Sequence, residues 1–194
     1  MSVNILPLGI LAQFMKCDNN NNNVNIGNSG GGGGVTWDMA AERAFTGDAI
    51  GSSARFIMES TFFSTNLKTA SFPAVTDIGS NAFANCLSLT TISFPAATSI
   101  GDSAFNDCIA LMSASFPAAT TIGSSAFAYC TKLTSLNLVG VSRVPTLGNS
   151  AFASTPIGGY AGQYGSVYVP ASLYNSFLTA TNWSSISSRI VSVA

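Results

Sequence analysis

Apolar residues return along this chain at a fixed interval. Leu67, Leu89, Leu111 and Leu133 stand 22 residues apart, and each opens a unit of similar lettering. The units read LKTASFPAVTDIGSNAFANCLS, LTTISFPAATSIGDSAFNDCIA and LMSASFPAATTIGSSAFAYCTK. A fourth, LTSLNLVGVSRVPTLGNSAFASTPIGGY, has Leu138-Val139 in place of Phe-Pro and reaches its Ala-Phe pair three residues late, at Ala151-Phe152. Such a period predicts a coil repeated in space, with parallel strands ~4.8 Å apart and each recurring residue forming a ladder through the stack.

The columns of that ladder have assignable roles. Phe72, Phe94, Phe116 and Leu138 point inward, as do Ile78, Ile100 and Ile122. Phe83, Phe105, Phe127 and Phe152 form an aromatic ladder on the return side. Pro73, Pro95 and Pro117 lack an N–H and end strands. Gly79, Gly101 and Gly123 mark a corner that needs either a positive φ or a close backbone approach. Thr76, Thr98 and Thr120 offer hydroxyls to turn backbone. The L-x-x-L-x-L spacing with a period between 20 and 29 is the leucine-rich-repeat signature. The fold expected is a β-rich leucine-rich-repeat solenoid of parallel strands and 22-residue coils, with little helix.

The ends depart from the period. Ile57-Met58-Glu59-Ser60-Thr61-Phe62 aligns with Ile78 to Phe83 as a degenerate first unit, the place of a capping repeat. At the other end Val167-Tyr168-Val169 reads as a strand. Pro170 then opens a short helix with Leu173, Phe177 and Leu178 at helical spacing. Trp183 and Ile186 complete a small α/β C-terminal cap, and Ile190 to Val193 gives a last strand. Before the repeats runs an extended N-terminal tail. It begins with an apolar peptide and continues through Asn19–Asn23 and Gly30–Gly34, a composition that buries too little apolar surface to offset its chain entropy. The expected divisions are 1–17, a docking peptide carried by Ile5, Leu6, Leu8, Ile10, Leu11, Phe14 and Met15; 18–34, a flexible tether; 35–66, an N-terminal cap with the degenerate repeat; 67–160, the repeats; and 161–194, the C-terminal cap. A secretory signal is the weaker reading of residues 1–17, because Lys16 follows the apolar run and no small-residue cleavage site follows it.

Composition narrows the function. Hydrophobic residues make up 47% and charged residues 8%, with net charge −1, where a typical domain carries about 25% charged residues. Seven basic residues spread over the chain make no positive field for nucleic acid. No stretch approaches the ~20 apolar residues of a membrane span. There is no histidine, hence no standard Ser-His-Asp triad. Asp77, Asp102 and Asp107 read as solvated turn residues and not as an acid/base pair. Gly30–Gly34 lacks the Lys-Ser/Thr of a phosphate loop. Cys86, Cys108 and Cys130 recur at the repeat period and read as small core residues; the metal reading requires convergent C-x-x-C-type spacing. The expectation is a non-enzymatic chain with no metal and no cofactor. The outward strand positions, Thr69 and Ser71, Thr91 and Ser93, Ser113 and Ser115, Ser135 and Asn137, are small and neutral. A richer candidate binding surface is Tyr160, Tyr164, Tyr168 and Tyr174, in or beside the Gly-rich stretch Gly158–Gly165, since Tyr with Gly recurs in recognition loops. Tyrosines that simply cover the end of the solenoid are the structural alternative.

The units L-x-x-x-x-F/L-P, x-I-G-x-x-A-F-x-x-C-x-x-L resemble the BspA-like leucine-rich repeat over residues 57–193, and the ending VYVPASLYNSFLTATNWSSISSRI is similar to that family's close. The resemblance implies a scaffold found on bacterial surface proteins that bind host molecules and in virion proteins of tailed phages. The segment GGGGGVTWDMAAERAFTGD, residues 30–48, is similar to junctions in phage fibre proteins. The expectation is therefore a virion head-fibre, decoration or tail-associated subunit. It is made in the bacterial cytoplasm, joined to capsid, portal or tail by its N-terminus, and forms a homo-oligomer, by analogy a trimer. Host glycan or protein is the expected outer partner. The alternative is a bacterial cell-surface adhesin.

Overall fold

The structure is a computed structural model. It describes residues 54–194 in full and, as backbone, four earlier strands: β1 Met15–Cys17, β2 Asn23–Ile26, β3 Gly34–Val35 and β4 Thr46–Ile50. The docking residues Ile5, Leu6, Leu8, Ile10, Leu11 and Phe14, the side chain of Met15 and most of the 18–34 tether lie outside the described residues.

Each unit contributes a strand and a shorter return strand. The first kind comprises β6 Asn66–Ser71, β8 Thr91–Ser93, β10 Ser113–Ser115, β12 Ser135–Asn137, β14 Ser166–Pro170 and β15 Ile190–Val193. The second comprises β5 Phe56–Ile57, β7 Asp77–Ile78, β9 Ser99–Ile100, β11 Thr121–Ile122 and β13 Thr146–Leu147. The return strands and β3 form one six-stranded sheet, β13-β11-β9-β7-β5-β3. The first kind divides into a five-stranded sheet, β1-β2-β4-β6-β8, and a four-stranded one, β10-β12-β14-β15. Pairing is parallel throughout except between β1 and β2. Ile57 pairs with Ile78, so the degenerate first unit is a true coil.

The periodic letters become continuous stacks. Phe62, Phe83, Phe105, Phe127 and Phe152 stack with centroids 5.0, 5.1, 5.3 and 5.7 Å apart and planes within 15° of parallel. Each such pair contributes ~0.5–1.5 kcal/mol beyond its burial. Phe72, Phe94 and Phe116 stack beside them at 5.7 and 6.3 Å. After each of these phenylalanines the chain turns: Val75, Ala97 and Ala119 donate N–H to the carbonyls of Phe72, Phe94 and Phe116 at 3.3, 3.1 and 3.1 Å. The proline therefore sits at the second position of a β-turn, where its fixed φ fits. Leu138 and Val141 make the same turn without it, at 3.1 Å. The extra residues of the fourth unit fall between this turn and β13, and β13 still pairs in register, Leu147 opposite Ile122.

Two columns behave differently from a simple turn. The threonine hydroxyls reach across coils: Thr98 Oγ1 donates to Thr76 O at 3.1 Å and Thr120 Oγ1 to Thr98 O at 3.0 Å. The glycine column takes the close-approach option. A Cβ on Gly101 would lie 2.7 Å from Gly79 C and Ser80 N, and one on Gly79 would lie 2.6 Å from Glu59 N. Positive φ falls instead on small polar residues of the return side, at Ser60, Asn81, Ser103, Ser125 and Ser150, and again at Ser64, Asn85, Asp107, Tyr129 and Ser154. Asn and Asp tolerate this region best; Tyr129 is the outlier of its column.

The C-terminal cap closes the stack. The helical turn expected after Pro170 is a 3₁₀ turn, Ala171–Leu173, followed by α1, Tyr174–Thr179. Phe177 meets Trp183 edge-on at 5.0 Å, and Trp183 lies 6.2 Å from Phe152, so the aromatic column ends on the tryptophan. Its indole Nε1 donates to Pro145 O at 2.7 Å, and Asn182 Nδ2 donates to Leu147 O at 2.6 Å.

Candidate functional site

Cys86, Cys108 and Cys130 are buried, and each thiol donates to a phenylalanine carbonyl of the preceding coil: to Phe62 O at 3.0 Å, Phe83 O at 3.2 Å and Phe105 O at 3.0 Å. Burial pushes the Cys108 thiol well above its ordinary pKa, and the neighbouring Cys130 adds to the rise. A thiol held protonated is a poor nucleophile and a poor metal ligand. Thr65 and Thr155 stand in the same column at its two ends, buried, with hydroxyls donating to Phe62 O at 3.0 Å and Phe152 O at 2.7 Å. The column is a row of buried donors that need an acceptor. Sequence reading missed the threonines because the letter changes while the size and donor persist.

No group of three or more Cys, Asp or Glu residues that could hold a metal ion occurs among the described residues. The carboxylates are scattered. Asp77 accepts from the Thr76 hydroxyl at 2.6 Å, and Asp102 Oδ1 accepts the Ser124 N–H of the next coil at 2.7 Å. No helix among the described residues is long and apolar enough to cross a membrane.

The strand face carries Thr91, Ser93, Ser113, Ser115 and Asn137 exposed, with Thr69, Ser71 and Ser135 half-buried. Tyr168 joins the end of this row, paired opposite Asn137 on one side and Val191 on the other. Met112 is exposed where β8 and β10 belong to separate sheets. Leu87 and Ile109, one period apart at the neighbouring corner, are exposed as well.

The four candidate tyrosines occupy three settings. Tyr160 and Tyr164 stand on the Gly-rich loop and are 46% and 70% exposed. Tyr168 lies half-buried on β14, and Tyr174 packs against the core from α1. The loop is shaped by left-handed backbone at Gly159, Ala161 and Gly162, with φ of 85°, 51° and 70°. Beneath it lies a residue that sequence spacing does not reveal: the Arg189 guanidinium carbon sits 3.7 Å from the Tyr164 ring centroid. An open cleft of about 280 Å³ adjoins this region, between the fourth unit and the cap, lined by Gly148, Ala151, Phe152, Gly158, Asn182 and Ile186 among others.

Comparison with known proteins fits this architecture. Among curated protein sequences none matches. The crystal structure of a T. pallidum leucine-rich-repeat protein is similar to this chain with TM-score 0.55 and 21% identity, over 81% of this chain and 69% of that one. A leucine-rich-repeat protein from Bacteroides ovatus superposes with TM-score 0.51 and 18% identity, over 84% of this chain and 43% of its own length. Both likenesses speak to the fold. The model of the BspA-type leucine-rich-repeat region matches in six copies across residues 50–162, more than half of the chain. On that match, the chain belongs to the BspA-type leucine-rich-repeat family.

Proposed function

We propose that this protein is a non-enzymatic contact module, mounted by its N-terminus on a phage virion as a head-fibre, decoration or tail-associated subunit. Its repeats and C-terminal cap face the host surface. One observation carries the contact role. The described residues form a continuous charge-poor stack whose inward apolar side chains pack into one core, while exposed aromatic side chains stand on the loop at its far end. Support for the mounting comes from the order of parts in the sequence: an apolar peptide, an Asn/Gly tether, and the VTWD junction before the repeats. Buried unpaired thiols at Cys108 and Cys130 suit folding in a reducing cytoplasm.

The test is deletion of residues 1–17 followed by quantification of the protein in purified particles. The truncated chain is expected to be lost from particles while remaining folded; incorporation at full occupancy would refute the mounting. The second reading, a bacterial cell-surface adhesin, is favoured by the family, which is often cell-surface associated. Mass spectrometry of the mature N-terminus separates the two, since cleavage near Cys17 supports export and an intact apolar peptide supports docking.

A further inference from the structure

We infer that the C-terminal cap carries a site for an acidic saccharide, with Arg189 receiving the sugar carboxylate and Tyr164 covering the sugar ring. The inference names a ligand class for the contact role proposed above and rests on that role, but not on virion mounting. It begins with an unpaired donor. Arg189 Nη1 is enclosed by protein and has no hydrogen-bond partner. A guanidinium is always charged and presents five donors, so an enclosed donor left without an acceptor is costly.

No side-chain carboxylate stands in the same C-terminal stretch of the sequence as Arg189. Residues 108–194 contain Lys132, Arg143 and Arg189 and no Asp or Glu, whereas residues 1–107 hold all eight acidic residues. The charged side chains of this stretch are thus all cationic, a bias that favours an anion from outside. A carboxylate suits Arg189 because its two oxygens match the planar fork of the guanidinium.

Tyr164 supplies the second element. Its ring stacks on Arg189 yet is 70% exposed, so one face meets the cation and the other meets solvent. A flat apolar surface beside a half-buried guanidinium fits a ring that has an apolar face and a carboxylate at its edge. Access to Nη1 requires Tyr164 to lift. Gly162, two residues away at φ 70°, has nothing within 4 Å of where a Cβ would stand, so no neighbour packs against the loop at that point. Tyr160, exposed on the same loop, widens the aromatic surface. Acidic peptides share the carboxylate but not the stacking face, which is why the saccharide is favoured.

The experiment is a titration of the purified full chain with trigalacturonate, its methyl ester and hexaglutamate, followed by aromatic NMR and calorimetry. Trigalacturonate is expected to bind in the millimolar range or tighter and to shift the Tyr164 ring signals, with the neutral ester weaker by about ten-fold or more. Arg189→Gln removes the difference between acid and ester, and Tyr164→Ala weakens trigalacturonate; Tyr129→Ala, on an exposed ring elsewhere, changes neither. To show that Arg189→Gln leaves the cap folded, the tryptophan fluorescence of each variant, from Trp37 and Trp183 together, must match the parent. Equal binding of acid and ester, equal binding of hexaglutamate, or no Tyr164 shift with any probe would overturn the assignment. Loss of particle incorporation on deleting residues 1–17 leaves this titration unchanged, so the two readings fail separately.

Discussion

Gly101→Ala tests whether coil spacing is set by backbone contact. The added Cβ would lie 2.7 Å from both Gly79 C and Ser80 N, and 2.9 Å from Ile78 O. Ordinary contact begins near ~3.4 Å, so the two coils must part by roughly 0.7 Å. They are held at this point by the Gly101 N–H to Ile78 O bond of 2.8 Å and by pairing of Ile78 with Ile100. The obstructing atoms are main chain, with no rotamer to yield, which places the cost at the upper end of the ~1–3 kcal/mol typical of overpacking. Against it stands the ~0.4–1 kcal/mol gained by restricting the unfolded chain. The net expectation is ~2 kcal/mol of destabilisation, or a Tm lower by about 4–8 °C for a chain of this size. Urea unfolding followed by Trp fluorescence reads it. Gly162→Ala is the contrasting variant: nothing lies within 4 Å, but φ is 70°, so its cost of ~1 kcal/mol comes from conformation alone. A Gly101→Ala protein within ~0.5 kcal/mol of the parent, the scatter of ordinary surface changes, would refute the view that the glycine column sets the coil spacing.

Four further outcomes follow. Removing residues 89–110, one whole unit, leaves a folded cooperative protein, because the ladders that flank the cut are equivalent and stability sums over neighbouring coils; circular dichroism showing an unfolded chain would count against this. Tyr129→Asn raises stability by ~0.5–1 kcal/mol, since Tyr129 holds φ 61° where Asn85 holds 60° in the same column, and an unchanged urea midpoint would contradict it. The thiols of Cys108 and Cys130 stay closed to a disulfide reagent until the protein unfolds. The pH dependence has a definite sign. The Cys108 pKa is raised in the folded state, so its contribution is fully present below the unfolded-state value. As pH rises above that value the unfolded chain releases a proton that the folded chain keeps, and stability falls by up to ~1.4 kcal/mol per pH unit until the folded group also titrates. Cys108→Ala flattens that part of the profile; an identical slope in the variant would show the decline to come from elsewhere.

Much of the coil was legible because identical letters in identical places can only stack. The Phe, Ile, Pro and Gly columns each translate directly into a position. What stayed hidden was carried by residues whose physics matters more than their identity. Thr65 and Thr155 complete the cysteine column by donating a hydrogen bond, a property that the change of letter conceals. The left-handed positions are filled by Ser, Asn, Asp and Tyr in turn, so no single letter announces them. The split of the strand face between β8 and β10 also leaves no mark in the repeat. Tyr164 and Arg189 meet across 25 residues outside the period, where spacing offers no guide. Of the four tyrosines grouped by their nearness to glycine, two share the loop, while Tyr168 and Tyr174 belong to the sheet and the core.

The cap has a consequence for length. A stack of equivalent coils has no intrinsic reason to stop, and its last return strand presents carbonyls that any further strand, including one from another molecule, could use. Here Trp183 and Asn182 spend their side-chain donors on the carbonyls of Pro145 and Leu147. Two side chains thus act as terminators on this sheet, denying a neighbouring copy the β13 edge as a template for one more return strand.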